Sequence, residues 1–354
     1  MDYGTSKAIF LKGVYKDIAV LEDQSQKQLS TLKGYNLVDT NPTAETLFTK
    51  LTKHNEEEAE FIYTTGVKPI GRRRPGGNYP LTNDLVGYRT RVAAGEQFAG
   101  VAELEEEFAQ RTNPAYASFL DKAGKVLRDL ENQIYAQYWS IFNLAFTTPS
   151  SYNRNDIFAR GNVDGLNEPL ISTQHARVDG GASQANTFTG ANAQVPFSDN
   201  ALWSAKTVMA QLVDDVGKPM PMLGGRFSII VPPYGTYVRT ALELAMSEYK
   251  IDTSNNNVNL FKGLIADVFT APHLLSSNGG SNTAWFLIDT QNRSSQFGTG
   301  LVAVEFLPII TRVRTPAETD NDVYEYRVKF EQKVGWIDWR NVFGSKGDSS
   351  TYTG

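Results

Sequence analysis

The chain has 354 residues, with 34 Lys plus Arg against 39 Asp plus Glu, a formal net charge of -5 and no cysteine. That length exceeds what one hydrophobic core usually serves and favours two substructures. The acidic balance supplies no global basic field and argues against a DNA-binding module, while the missing cysteines exclude disulfides, thiol catalysis and thiolate metal sites and fit a reducing compartment.

The opening "MDYGTSKAIFLKGVYKD" has an acidic second residue and no apolar run of signal-peptide length. The most apolar stretch, "LVAVEFLPII", is short and interrupted by Glu305, against the ~20 apolar residues of a membrane span. These features predict a soluble intracellular product. Residues 1–36, with "EDQSQKQLSTLKG", offer little to bury and read as an arm or marginal helix. Residues 44–60 have helix-forming composition, with Leu47, Leu51 and His54 on one side. From Phe61 to about Ala102 the pattern changes to short extended runs around "GRRRPGGNYP", which predicts a long hairpin-like excursion.

The strongest local signal follows. Asn113 and Pro114 form a cap and first helical position, and apolar residues then recur at Tyr116, Leu120, Ala123, Leu127, Leu130, Ile134, Tyr138, Ile141 and Ala145. A helix running to Phe146 has about 33 residues and spans roughly 50 Å. Residues 147–197, rich in Gly, Asn, Ser and Thr, read as a surface insertion. Ser198 or Asp199 then caps a helix with Leu202, Ala205, Met209, Leu212 and Val216 on one stripe. "RFSIIV" reads as a buried strand, "PYGTYVRTALELAMSE" as a helix, and "LIADVFT", "AWFLID" and "GLVAVEFLPII" as strands, giving a compact α/β unit over 198–310.

From Val323 to Trp336, Tyr324, Tyr326, Val328, Phe330, Gln332, Val334 and Trp336 alternate with Glu325, Arg327, Lys329, Glu331 and Lys333. This predicts a strand with an apolar and a charged face, about 46 Å long at roughly 3.3 Å per residue. Laid beside the long helix it makes an elongated domain, with the terminal tryptophans using both the indole body and its N–H.

Chemistry is sparse. His54, His175 and His273 stand far apart in no metal-ligand pattern, which predicts surface or capping roles. There is no GxSxG elbow and no phosphate loop. "GTGLVA", Gly298 to Ala303, matches G-x-G-x-x-A but precedes a strand instead of a helix. Asp320 and Asp322 lack the later glycine and glutamate of a calcium loop. No catalytic group, metal or cofactor is expected. The candidate contacts are charges: Arg72, Arg73 and Arg74 at the excursion's tip, and Glu103, Glu105, Glu106 and Glu107 where the chain returns. Either both clusters are solvated, or the arginines of one copy dock on the acids of the next through forked Arg–carboxylate pairs.

This order of parts resembles the tailed-phage major capsid proteins of the HK97 fold. The likeness rests on "NPAYASFLDKAGKVLRDLENQIYAQYWSIF", "FSIIVPPYGTYVRTALELA" and "YEYRVKFEQKVGWIDWRNVFG", together with element order and length. It implies an α+β, HK97-like capsid fold: an N-terminal arm over 1–36, a helix and extended loop over 37–105, and the spine helix of a peripheral domain over 106–150. A loop-rich insertion over 151–197 follows, then a compact α/β axial domain over 198–310, a peripheral-domain loop and long C-terminal strand over 311–345, and a tail over 346–354. The implied function is structural and not enzymatic: pentamers and hexamers of an icosahedral phage head around double-stranded DNA, the DNA held without sequence specificity. The implied location is the virion capsid, assembled in the host cytoplasm. Implied partners are other copies, a portal, a decoration protein and a scaffold. The scaffold is expected as a separate protein, because little sequence precedes the excursion. An encapsulin-type cargo shell and a soluble enzyme with a site in 198–310 are the alternatives, and a concave apolar pocket would mark the enzyme.

Overall fold

The computed structural model describes residues 44–54, 56–67, 85–95, 97–105, 113–152, 157–220, 225–249, 258–290, 298–314 and 323–353. The expected arm lies outside the described residues. In place of a helix over 44–60, a short 3-10 turn at Ala44–Leu47 leads into β1, Thr49–Thr52, and β2 begins at Glu58. Tertiary pairing overrides local propensity here: β1 lies parallel to β9 (Leu301–Arg314), with Thr49 opposite Val302. Ala59 and Phe61 are buried two residues apart, the period of a strand and not of a helix.

β2, Glu58–Val67, pairs antiparallel with β3, Leu85–Ala93. These two strands are the base of the expected excursion, whose tip lies outside the described residues. β4, Phe98–Glu105, pairs antiparallel with the first half of β10, Val323–Trp336, and β5, Ile157–Phe158, pairs parallel with its end. The strand order in this sheet is β1-β9-β10-β4, with β5 beside β10. A second sheet runs β11-β8-β6-β7, formed by Val342–Ser345, Trp285–Asp289, Phe227–Ile230 and Ile265–Phe269. β11 was expected within the long final strand; instead the chain turns after Trp336 and β11 joins the α/β sheet, with Phe343 opposite Leu287.

The long helix α1 runs from Asn113 to Asn143, 31 residues, three short of Phe146. α2, Asp199–Ala210, is capped by Ser198, whose Oγ accepts the Ala201 N–H at 3.2 Å. It ends before the last two residues of its expected stripe, because the Asp214 side chain accepts the N–H groups of Val216 (3.0 Å) and Lys218 (2.7 Å) and folds that segment into a turn. α3 is Gly235–Met246. No described helix is long and apolar enough to cross a membrane.

The chain divides into two compact units. Among the described residues, one comprises 97–132 and 308–330, and its interior is Ala123, Leu127 and Leu130 of α1 with Tyr324, Tyr326, Val328 and Phe330 of β10. Gly100 of β4 sits where a Cβ would come within 2.5 Å of the Val126 side chain, so a larger residue there would force Val126 to move. The other unit comprises 41–96, 133–307 and 331–354. Its largest core packs Tyr138, Trp139, Ile141 and Phe142 of α1 against Phe48, Phe286, Trp336 and Trp339. A second core lies between α2, α3 and the β6–β8 strands, centred on Phe227, Phe261, Leu287 and Trp285.

Two further expectations change. Residues 147–197 are not wholly a surface insertion: among the described ones Leu170, Ile171, His175, Asn186, Thr187 and Gln194 are buried. Their polar groups bond both within the segment and to the C-terminal strand: Asn186 Nδ2 donates to Leu170 O and Val342 O (each 2.9 Å) and Thr187 Oγ1 to Gly344 O (2.7 Å). Composition alone does not distinguish such stitched polar segments from solvated ones. Along β10 the charged face is not fully solvated either, because Glu325, at 7% exposure, and Glu331 are buried. Arg327 lies 2.6 Å from Glu325, and Glu331 accepts the Gly95 N–H. Of the terminal indoles, the Trp339 N–H finds no acceptor among the described residues, so Trp339 serves as buried aromatic surface.

Tyr138 and Tyr352 are pinned by buried hydrogen bonds, Tyr138 Oη donating to Gln332 Oε1 (3.2 Å) and Tyr352 Oη to Ile171 O (2.8 Å). Burial pushes both phenols up to about 12 from an ordinary 10.0. Because the folded values are raised, this stabilisation is complete below pH 10 and disappears as the pH climbs towards 12. Thermal melts across that window are expected to show a steep fall in Tm. The Tyr138→Phe/Tyr352→Phe double variant loses about 1 kcal/mol per hydrogen bond at neutral pH and has a shallower alkaline slope.

Candidate functional site

Two charged constellations stand out, one exposed and one sealed. Of the acidic candidates, Glu103 and Glu105 are on β4, both exposed. Arg72, Arg73, Arg74, Glu106 and Glu107 lie outside the described residues, as do Asp320 and Asp322. The β4–β10 register sets Glu103 opposite Glu325, so two carboxylates share one position across the ladder. Like charges directly opposite repel; Arg327 at 2.6 Å and Arg314 at 3.9 Å answer the buried one, Glu325. Glu103 and Glu105 stand exposed on β4, at the edge of this sheet.

The sealed constellation is built on Asp215, which is fully buried. Arg160 Nη2 lies 3.2 Å from both of its carboxylate oxygens, and Arg340 Nη2 lies 2.8 Å from Oδ1. Arg340 also donates from Nε to Val213 O (3.0 Å) and from Nη1 to Asp338 Oδ1 (3.2 Å). Arg160 Nε and Nη1 meet no acceptor among the described residues; the guanidinium carbon instead lies 4.5 Å from the centroid of the Tyr88 ring. A π face attracts a desolvated cation. Burial in turn raises the Tyr88 phenol above its usual range.

His175 continues the network. Its ring stacks on Trp339, 3.9 Å between centroids and 6° from parallel, with Nδ1 3.0 Å from Glu168 Oε2 and Nε2 3.1 Å from Asn186 Oδ1. Burial pulls its pKa down against the opposing pull of Glu168. Burial raises Glu168, but the hydrogen bond and charge of His175 and the Ala176 N–H outweigh it, and the net shift is downward. The expectation of a surface or capping role for His175 is thus corrected. His54 does sit partly exposed, 2.8 Å from Glu305, and the His273 carbonyl accepts Asn143 Nδ2 at 2.9 Å.

Segment 160–164 leads from this hub to the excursion. Gly161 N–H donates to Thr90 Oγ1 (3.0 Å), Arg91 N–H to Asn162 Oδ1 (2.9 Å), and Arg89 forks onto Asp164 from its backbone N–H (2.7 Å) and its guanidinium (3.0 Å). β3 is therefore clamped at its base to the same segment that supplies Arg160.

Among the described residues no three His, Asp or Glu side chains group to hold a metal. Gly298 and Gly300 of "GTGLVA" both have positive φ and turn the chain into β9, and a Cβ at Gly300 would lie 2.3 Å from Asp338 O. That glycine serves a close backbone approach and not a phosphate. An open cavity of about 580 Å³ lies between α2 and residues 184–195, lined by Phe188, Val195 and Val208 with Gln184, Thr187 and Ser204 and no charged side chain. It holds no acid, base or nucleophile pair. The Asp215 hub escaped sequence reasoning because its members are scattered; the charges inside "VDDVG" and "WIDWR", both in otherwise apolar contexts, were the available signal.

No protein-family model matches the chain, and no curated protein matches it. Solved structures do. A chain of Mycobacterium phage Patience is similar over 87% of this chain and 84% of its own, with a TM-score of 0.50 and 8% identity. The mature capsid of bacteriophage PhiM1 is similar over 86% of each chain (TM-score 0.49, 12% identity), and the capsid of cyanophage P-SCSP1u over 88% and 87% (TM-score 0.48, 12% identity). The likeness to the Patience chain shows the fold alone, a mixed helix-and-sheet fold of the HK97-like type.

Removing one member of a buried ion network leaves the others charged and uncompensated. Asp215→Ala is expected to cost about 3–5 kcal/mol in urea denaturation, whereas Glu105→Ala on the exposed strand stays within about 0.5 kcal/mol.

Proposed function

We propose that this chain is a structural major capsid protein, assembling as pentamers and hexamers into an icosahedral phage head around double-stranded DNA, with no enzymatic role. The observation that carries the reading is the HK97-like fold across most of the chain. Fold alone does not specify function, and two physical features support the step. The buried charges are consumed in holding the architecture together, and the exposed carboxylates of β4 face outward on an edge strand. A shell protein needs many modest contacts repeated by symmetry instead of one reactive site.

Within that reading, Glu103 and Glu105 on β4, with Glu106 and Glu107 next in sequence, receive Arg72, Arg73 and Arg74 of a neighbouring copy. Separate scaffold, portal and decoration proteins, virion location and assembly in the host cytoplasm belong to the same proposal. DNA is enclosed without a sequence-specific site, as the net charge of -5 suggests.

Light scattering on a sizing column, with negative-stain images of the peak, is expected to give closed shells or discrete pentamers and hexamers. Persistent monomer or dimer at all concentrations, with or without coexpressed scaffold, counts against the reading. Particle contents separate a DNA-filled head from a cargo-enzyme shell. The Arg72→Glu/Arg73→Glu/Arg74→Glu variant is expected to lose assembly; unchanged assembly removes the docking contact.

A further inference from the structure

The hydrogen bonds around Asn186 fix where its hydrogens are. Asn186 Nδ2 donates to Leu170 O and Val342 O, each 2.9 Å away, and Oδ1 accepts the Ser172 N–H at 2.9 Å. Turning the amide over would set its NH2 against that N–H and its oxygen against two carbonyls, so the orientation is determined. His175 Nε2 lies 3.1 Å from the same Oδ1 and therefore carries a hydrogen. On the other side of the ring, Nδ1 lies 3.0 Å from Glu168 Oε2, a carboxylate whose Oε1 accepts the Ala176 N–H at 2.8 Å. Both ring nitrogens thus face acceptors.

A neutral imidazole has one N–H and cannot serve both. Nor can the ring move away from the conflict. It is fully buried, its backbone N–H and C=O are bonded to Gln184 (2.7 and 3.0 Å), and it lies flat on Trp339. Turning the ring over would set carbon against both acceptors. The charged groups around it are matched among themselves: Arg160 with Asp215, beside the Tyr88 ring, and Arg340 with Asp215 and Asp338, beside Trp339. Burial is the largest influence against a charged ring and Arg160 adds to it, while Glu168 and Asn186 act in its favour. Geometry decides the balance. Discharging the ring sets a bare Nδ1 lone pair against a carboxylate in place of an ion pair, and leaves the carboxylate without its cation. Stacking on an indole face favours the cation as well.

We infer that His175 is an imidazolium at neutral pH, held between Glu168 and Asn186, and that its proton acts as a pH-sensitive clasp. While bound, it ties residues 168–176 through Asn186 to the start of β11; its loss in mild alkali loosens that tie. Ser172 and Val342 stay bonded to Asn186 in either state, so the change is a local weakening and not an unfolding.

His54→Gln/His273→Gln leaves His175 as the sole histidine. Magic-angle-spinning 15N spectra of that protein, labelled in histidine, are expected to show two protonated ring nitrogens at pH 7 and a midpoint above the ordinary 6.5. One bare nitrogen at pH 7 overturns the inference. Glu168→Gln keeps an oxygen for the Ala176 N–H and offers Nδ1 a donor, so it suits the neutral ring; proton affinity is expected to fall by roughly tenfold or more, the scale of one close opposite charge. Urea denaturation reads the clasp itself. With the folded value raised, the stabilisation is complete below pH 6.5 and disappears as the pH climbs through the folded midpoint. Wild type is therefore expected to lose stability relative to Glu168→Gln between pH 6.5 and 10, before the tyrosines titrate. Parallel curves, or a relative loss in wild type on acidification just below 6.5, mean a neutral ring and no clasp.

Discussion

An ionised carboxylate sealed from water is costly unless it is paired and hydrogen-bonded, and Asp215 is sealed completely. The requirement that two guanidiniums meet it brings together three segments far apart in the chain, at Arg160, Asp215 and Arg340. Each arginine is itself oriented by something else: Arg160 by the Tyr88 ring, Arg340 by Asp338, the Val213 carbonyl and the Trp339 face. Uncompensated charge in this interior is far more costly than a misplaced methyl group, so the hub tolerates little alternative packing.

From that hub the order of the larger unit spreads outward. His175, stacked on Trp339, carries it to Glu168 and to Asn186, whose amide is bonded to both the loop-rich segment and the start of β11. Segment 160–164 carries it to β3, where Thr90, Arg91 and Arg89 are each bonded. An extended hairpin is a lever, and its direction is set where its base is gripped. Here the grip is polar and geometrically specific.

The surface division follows the same economy. Charge taken inside at Asp215 and Glu325 is paired within the fold, while the exposed carboxylates Glu103 and Glu105 lie on β4. A surface that meets a partner gains only what is not spent on ordering it, which favours groups held on a regular element. Glu103 and Glu105, on a paired strand, meet that condition.

The elements with uninterrupted periodicity were legible from residues alone. The stripe from Ala123 to Ala145 and the alternation from Val323 to Trp336 are local patterns that one packing partner satisfies, and the helix and strand stand there with small boundary shifts. The Ser198 cap and the strands "FSII" and "WFLID" were legible for the same reason. Residues 44–60 were not, because Thr49–Thr52 is a strand only by virtue of β9, some 250 positions away. Nor could composition show that the Gly- and Asn-rich segment 151–197 is interior: Asn186, Thr187 and Gln194 are buried only because specific carbonyls and hydroxyls wait for them. The sequence by itself determined the periodic elements and their order, since side-chain spacing is a one-dimensional property. Tertiary structure alone decided which charges are sealed, which face the water and which segment grips the hairpin, because those depend on partners that meet only in three dimensions.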